Sequence, residues 1–176
     1  MRRRFILLAQ SENEFSENMP LMARCISASI MLSHGLRKDA DVVFLTNKVA
    51  IHFVTSHLKS VRPDEGSLLG ILRKVFRVIN EGRGVAHSGV IISKRNLESY
   101  LLNFPVKYFC APYGKELLEN PPRTPVAFIM PFIHRGQAFK TTANVVYLKC
   151  PVDRQWPDQI IPVLNILLDR LSYADN

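Results

Sequence analysis

No apolar run in this chain approaches the roughly 20 residues that a membrane-spanning helix needs. The start, Arg2-Arg3-Arg4 followed by Phe5-Ile6-Leu7-Leu8-Ala9, has a signal peptide's charges, but its apolar core is too short before Ser11-Glu12-Asn13-Glu14. A buried first strand is expected there instead. Cysteines number only three, Cys25, Cys110 and Cys150. Odd in number and widely spaced, they indicate neither a disulfide framework nor a zinc cluster, and a reducing cytoplasm fits them. Neither GxGxxG nor GxxxxGK followed by Ser or Thr occurs, which disfavours nucleoside triphosphate chemistry. Repeats, low-complexity segments, clear linkers and a long basic tail are missing too.

What is present is a chain of 176 residues, 47% of them hydrophobic. That size and composition predict one domain, residues 1–176, with a sizeable core. Lys and Arg number 23 against 15 acidic residues, a formal net charge of +8. Such an excess favours a polyanionic partner, nucleic acid before a membrane surface, although it also serves as an ordinary solvated surface.

Periodicity gives an alternation of strands and helices. Arg4 to Leu8, Val42 to Leu45 and Ile51 to Val54 read as strands, and Leu21 to Ser33 reads as a helix stopped near Gly35. Ser67 is read as the cap of a helix to about Asn80. One face of that helix carries Leu68, Leu72, Val75 and Ile79, and the opposite face Arg73, Lys74 and Arg77. Then come a strand at Val90 to Ile92, a short helix capped by Asn96, and strands at Val106 to Cys110, Val126 to Met130 and Val145 to Leu148. A last helix is expected over Ile161 to Tyr173, because Pro162 suits a first helical turn. The alternation predicts α/β layering around a mainly parallel sheet.

Ligands collect at the carboxyl ends of strands in such sheets. Three loops fall there: Ala111 to Gly114, Pro131 to Gly136, and Lys149 to Asp153. They are rich in Pro and can grip a ligand through backbone groups, or be ordinary turns. A second feature is a polar string in apolar surroundings: Arg24-Cys25, Ser33-His34-Gly35-Leu36-Arg37-Lys38-Asp39, and Val61-Arg62-Pro63-Asp64-Glu65. Charges of both signs at element ends suit an anionic ligand and proton chemistry.

That string, from Arg24 through Glu65, resembles the tRNA pseudouridine N1-methyltransferases (TrmY) and their bacterial relatives, in the SPOUT superfamily of knotted methyltransferases. The similarity is strong from about Met22 to Val78 and continues as element order to the C-terminus. It implies a mostly parallel SPOUT-type sheet with a C-terminal deep trefoil knot, here from about Tyr108 onward, a homodimer, and S-adenosylmethionine held in the knot loops. On this sequence those loops place the cofactor at Cys110, Gly114, Met130, Phe132, Leu148, Cys150 and Pro151. Two departures stand out. Family members usually carry a Gly-Asp-His-like run where this chain has Met130-Pro131-Phe132, and a Ser-Pro where it has Cys150-Pro151. Binding through backbone amides survives both departures; binding through the family's side chains does not.

The chemistry expected is N1-methylation of pseudouridine in tRNA or another structured RNA. Removing a ring N–H proton as a methyl group arrives needs a carboxylate near that nitrogen, and Asp64 and Asp39 are the candidates. Each has a plain alternative, Asp64 as a helix cap and Asp39 as the start of a turn. Arg24, Arg37 and Arg62 are the candidate RNA contacts; Arg24 can instead snorkel, and the other two can pair with neighbouring carboxylates. Cys25 and Cys110 read as core, and Cys150 has no paired base to make it a nucleophile. No metal and no membrane partner is expected. A catalytically silent RNA-binding relative is the alternative reading, and a metal-dependent nuclease or hydrolase using Asp64, Glu65 and a histidine lacks ligand spacing.

Overall fold

Why the chain folds as a covered sheet is visible in strands β1 (Arg3–Leu8), β4 (Ala40–Leu45) and β8 (Val126–Pro131). Nearly every residue in these three is buried, the pattern of a sheet packed on both faces. The computed structural model describes residues 2–119, 122, 125–133, 141–150 and 155–174. Its remaining strands are a small antiparallel pair, β2 (Met31–Leu32) with β3 (Gly35–Leu36), then β5 (Ala50–Phe53), β6 (Val90–Ser93), β7 (Val106–Ala111) and β9 (Val146–Lys149). The large sheet runs β6-β5-β4-β1-β8-β7-β9. From β4 to β9 all pairings are parallel, while β5 is antiparallel to both β4 and β6.

Alternate residues of each strand feed two cores. Phe5, Leu7, Val42, Phe44, Phe128 and Met130 meet helices α2 (Met19–Ile30), α3 (Glu65–Glu81) and α5 (Pro157–Ala174) on one face. Ile6, Leu8, Val43, Leu45 and Ile129 meet Leu97, Tyr100 and Leu101 of α4 (Leu97–Leu101) and Phe104 on the other. A further short helix, α1 (Glu12–Ser16), follows β1. Among the described residues no helix is long and apolar enough to cross a membrane.

Several boundaries differ from the sequence reading. The helix read to Ser33 ends at Ile30, because Met31 turns extended and pairs with Leu36; Gly35, read as a helix stop, lies in that hairpin. The helix read from Ser67 begins at Glu65, because the Asp64 carboxylate caps it, accepting from the Ser67 N–H at 2.7 Å. Gly82, left-handed at φ 68°, ends it. The last helix starts at Pro157, four residues early, with the Gln159 and Ile160 N–H groups donating to the Trp156 carbonyl. Pro162 therefore lies inside it, leaving the Asp158 carbonyl without its helical donor.

Candidate active site

Three adjacent parallel strands, β8, β7 and β9, end side by side, so the loops after Met130, Cys110 and Leu148 share one edge. Backbone bonds lace them together. The Cys150 N–H donates to the Ala111 carbonyl at 2.7 Å, Lys115 N–H to Tyr147 at 2.9 Å, and Phe132 N–H to Leu8 at 2.8 Å. Gly114 is required in this lacing. Its φ is 129°, and a Cβ there would stand 2.3 Å from the Tyr147 carbonyl oxygen. Tyr113 then stacks on Tyr147 with ring centres 5.5 Å apart.

Side chains of the sequence-predicted cofactor residues mostly point inward. Cys110, Met130, Phe132, Leu148 and Cys150 are all buried in the core, Phe132 against Phe15 at 4.9 Å. Pro151 lies outside the described residues. The hydrogen bond to Cys150, then burial, push the Cys110 thiol well up from its usual range, so it is no nucleophile. What these loops offer a ligand is backbone, together with an apolar cavity of about 280 Å³ lined by Leu117, Leu148, Cys150, Gln155, Ile160 and Leu164. Gln155 also borders a narrow cleft beside Phe132 and Trp156.

The polar string divides between the two ends of the sheet. Arg24, half-exposed on α2, donates from Nε to Asp158 Oδ2 at 2.8 Å, and Asp158 stands two residues beyond Trp156. That hydrogen bond raises the Arg24 pKa, and Glu65 lies close enough to add to the effect. Arg62, Pro63 and Asp64 are exposed just before Glu65. The structure therefore places Arg24 near Glu65 and, through Asp158, near Trp156. It places Arg37 and Asp39 elsewhere, at the amino-terminal ends of β1 and β4. Arg3, at that end, donates to Asp39 Oδ2 and to Asp169 Oδ1, both at 2.9 Å. Arg37 donates twice to Asp169 at 2.8 Å. Burial opposes the Asp169 charge, but the bonds from Arg37 and Arg3 outweigh it and hold the carboxyl below its usual range. β1 alone, at about 3.3 Å per residue, separates the two ends by about 17 Å.

Three partners were missed in the sequence. Asp158, Asn165 and Asp169 occupy one row of α5, spaced i, i+7 and i+11, and every one of them anchors the helix. Asp158 takes Arg24, and Asn165 takes Arg3 at 3.0 Å while donating to the Ala28 carbonyl at 2.9 Å. Asp169 takes Arg37 and Arg3. A polar row at helical spacing along an apolar segment was the available signal. Also missed is a buried cluster under α4. Arg4 donates to Asp41 Oδ2 at 2.9 Å, His52 Nε2 stands 3.6 Å from it, and the Arg4 guanidinium lies 4.7 Å from the Phe104 ring centre. Among the described residues, no group of His, Cys, Asp and Glu side chains is placed to hold a metal ion.

Residues 15–109 match the sequence model of the family described as "Putative SAM-dependent RNA methyltransferase". A tRNA (pseudouridine(54)-N(1))-methyltransferase of Methanocella arvoryzae is 34% identical over 112 residues, which covers 53% of this chain and 58% of that protein. The protein of the same name from Methanococcus aeolicus is 34% identical over 93 residues, covering 49% of this chain and 46% of its own length. The chain thus spans about half the length of the curated relatives it matches. Among solved structures, Archaeoglobus fulgidus Nep1 bound to S-adenosylhomocysteine aligns with a TM-score of 0.67, covering 98% of this chain and 100% of that one at 10% identity. The likeness is one of fold.

Proposed function

Because the chain belongs to the SAM-dependent RNA methyltransferase family matched over residues 15–109, we propose that it transfers a methyl group from S-adenosylmethionine to N1 of pseudouridine in tRNA. The single observation that carries the reading is the Arg24–Asp158 ion pair, which ties the polar segment to the first turn of α5, beside the loop after β8. The cofactor supplies an electrophilic methyl on a sulfonium. Residues of this chain fit it: the apolar walls of Leu117, Leu148 and Ile160 suit a flat base, while Gln155, Glu116 and Lys149 offer polar groups for its hydroxyl and amino-acid ends.

The chain's own residues then have separable tasks. Arg62, exposed, and Arg24, whose Nη groups remain available beside its bond to Asp158, hold RNA phosphate. The Asp64 carboxylate accepts or orients the ring N–H while also capping α3. Asp39, the other carboxylate singled out in the sequence, stands at the opposite edge of the sheet with its Oδ2 on Arg3, and has no part in that step. Arg37 has both Nη groups on Asp169, so it fixes the β3–β4 connection and is not an RNA contact in this reading. Positioning supplies most of the rate, and no covalent intermediate is needed.

The same reading has one SPOUT-type domain with its C-terminal segment knotted, working as a cytoplasmic homodimer. Support for the knot is the loop after β7, which closes over the end of β9 at Lys115 and Leu148, while α5 leads from there back onto α2. Support for the dimer is the outer face of α5, where Val163 and Ile166 are each 51% exposed. A second reading, a relative that binds RNA without transferring a methyl group, is favoured by the burial of Met130 and Phe132. Calorimetry with S-adenosylmethionine separates the two. The methyltransferase reading gives saturable heat near one cofactor per chain, and no heat and no thermal shift would leave the silent binder.

A further inference from the structure

A second cavity lies away from the cofactor loops. It is an open groove of about 590 Å³ beside the carboxyl-terminal half of α3, floored by Val78, Ile79, Val90 and Ile92. Three exposed cations, Lys48, Arg83 and Lys94, stand on its rim, against one acid, Glu12. The positive strip does not stop there. Lys74, Val78 and Gly82 follow one i, i+4, i+8 row of α3, so Lys74 stands one turn, about 5.4 Å, before the groove wall. Arg73 and Arg77 extend the strip over the outer face of the helix, where Glu81 is the acid at its end. Among the described residues none of these six basic side chains has a carboxylate partner.

Position ties the groove to the chemistry. Lys48 follows β4 and Lys94 follows β6, so both stand at the carboxyl-terminal edge of the parallel strands. Helix α1 lies between the groove and the cofactor loops: Glu12 lines the groove, and Phe15, one turn on, packs against Phe132.

We propose that this groove and the α3 strip are a second RNA-contact surface, which takes an unpaired nucleotide segment of the same RNA that is methylated. The proposal rests on the methyltransferase reading. The occupant follows from charge and length. A cationic strip longer than the groove itself matches a polyanion, whereas a short acidic peptide would need positive charge only on the rim. The aliphatic floor takes a base face by burial, and with no aromatic platform lining it among the described residues, most of the affinity comes from phosphate contacts on Lys74, Arg83, Lys94 and Lys48.

The test uses the full chain, a tRNA transcript and two variants outside the proposed catalytic machinery. K74Q/R83Q/K94Q should raise the Kd for tRNA about tenfold or more. It should also flatten the log Kd against log salt slope by about 2, since each single-strand phosphate contact contributes about 0.7. Val85, 88% exposed on the groove's loop, provides the second variant, because V85E places a negative charge at the mouth without touching the core. It should weaken tRNA binding as well, and both variants should keep the parent's calorimetric titration with S-adenosylmethionine. Unchanged Kd and salt slope in both variants would overturn the proposal, including the case in which the groove captures an acidic peptide instead. If the parent binds tRNA but takes no cofactor, only the methyl-transfer reading falls. A parent that binds no tRNA sinks the groove proposal as well.

Discussion

Arg37 and Asp169 meet in a forked pair of two 2.8 Å hydrogen bonds, 132 residues apart in the chain. The pair fastens the far end of α5 to the connection between β3 and β4. Arg3, nearly buried, joins it from β1. The C-terminal helix is thus tied to the N-terminal half by a charged seam that runs from Asp158 through Asn165 to Asp169.

Breaking that seam should be costly. Arg37→Ala leaves Asp169 with Arg3 alone, and the loss of two charge-assisted bonds should lower stability by about 2 kcal/mol. Urea unfolding measures it. Asp169→Asn should cost a similar amount, and the double variant should cost less than the two singles added together, because they remove the same interaction.

Acid should weaken the fold in a defined window. The Asp169 and Asp41 carboxyls both sit below their usual range, because hydrogen bonds from Arg37 and Arg3 to the first, and His52 at 3.6 Å with hydrogen bonds from Arg4 and Arg2 to the second, outweigh burial. Depressed carboxyl pKa values give stability that is full above about pH 4 and lost as pH falls further. Burial also lowers the His52 pKa, so the unfolded chain binds that proton more readily and a gentler decline begins below about pH 6.5. Melting temperatures from pH 8 to 3 should show both slopes, and Asp169→Asn should reduce the lower one.

Gly114→Ala should fail at the cofactor loops. Its Cβ would meet the Tyr147 carbonyl at 2.3 Å in a backbone conformation that L residues rarely adopt. A loss of about 1 to 3 kcal/mol is expected. Cofactor heat should fall with it, because the lacing between β7 and β9 shifts.

Asp64 has two roles to be separated. Asp64→Asn keeps an N-cap, so stability should stay within about 0.5 kcal/mol of the parent, while Asp64→Ala should lose about 1 kcal/mol. Both should depress methyl transfer by about a hundredfold at saturating RNA and cofactor, the usual scale for a positioned acid or base. Equal transfer by Asp64→Asn and the parent would remove Asp64 from the proton-handling role.

Arg24 and Arg62 should differ in kind. Arg62→Ala should weaken tRNA binding and reduce its salt slope by about 1 with no change in stability. Arg24→Ala should do the same and also destabilise, since it strands the partly buried Asp158. Filter binding between low and moderate salt, paired with melting curves, distinguishes them.

Much of the layering was legible because the strands are continuous apolar runs and α3 has a clean apolar face. The capping role of Asp64 was legible as one of two alternatives. Less visible was the division of the polar string. Arg24 and Arg37 lie 13 residues apart on the chain, but the second half of α2, Arg24 to Ile30, carries the chain about 9 Å toward the amino-terminal edge of the sheet between them. Sequence spacing does not report which partner on α5 each arginine then meets. The seam on α5 was missed for a related reason. Its three polar residues look like scattered exceptions until their common row is matched to basic residues far earlier in the chain. Pro162 misled because a missing helical hydrogen bond was given more weight than the N-terminal start at Trp156-Pro157.

Methyl transfer itself gives the most direct test. The purified chain is incubated with S-adenosylmethionine carrying a labelled methyl group and with two tRNA transcripts, one bearing pseudouridine and one bearing uridine throughout. Nucleoside digestion should recover label in N1-methylpseudouridine from the first transcript only, and Asp64→Asn should bring that signal down by about a hundredfold. A chain that binds both transcripts and the cofactor, yet leaves no label in either RNA, would contradict the account.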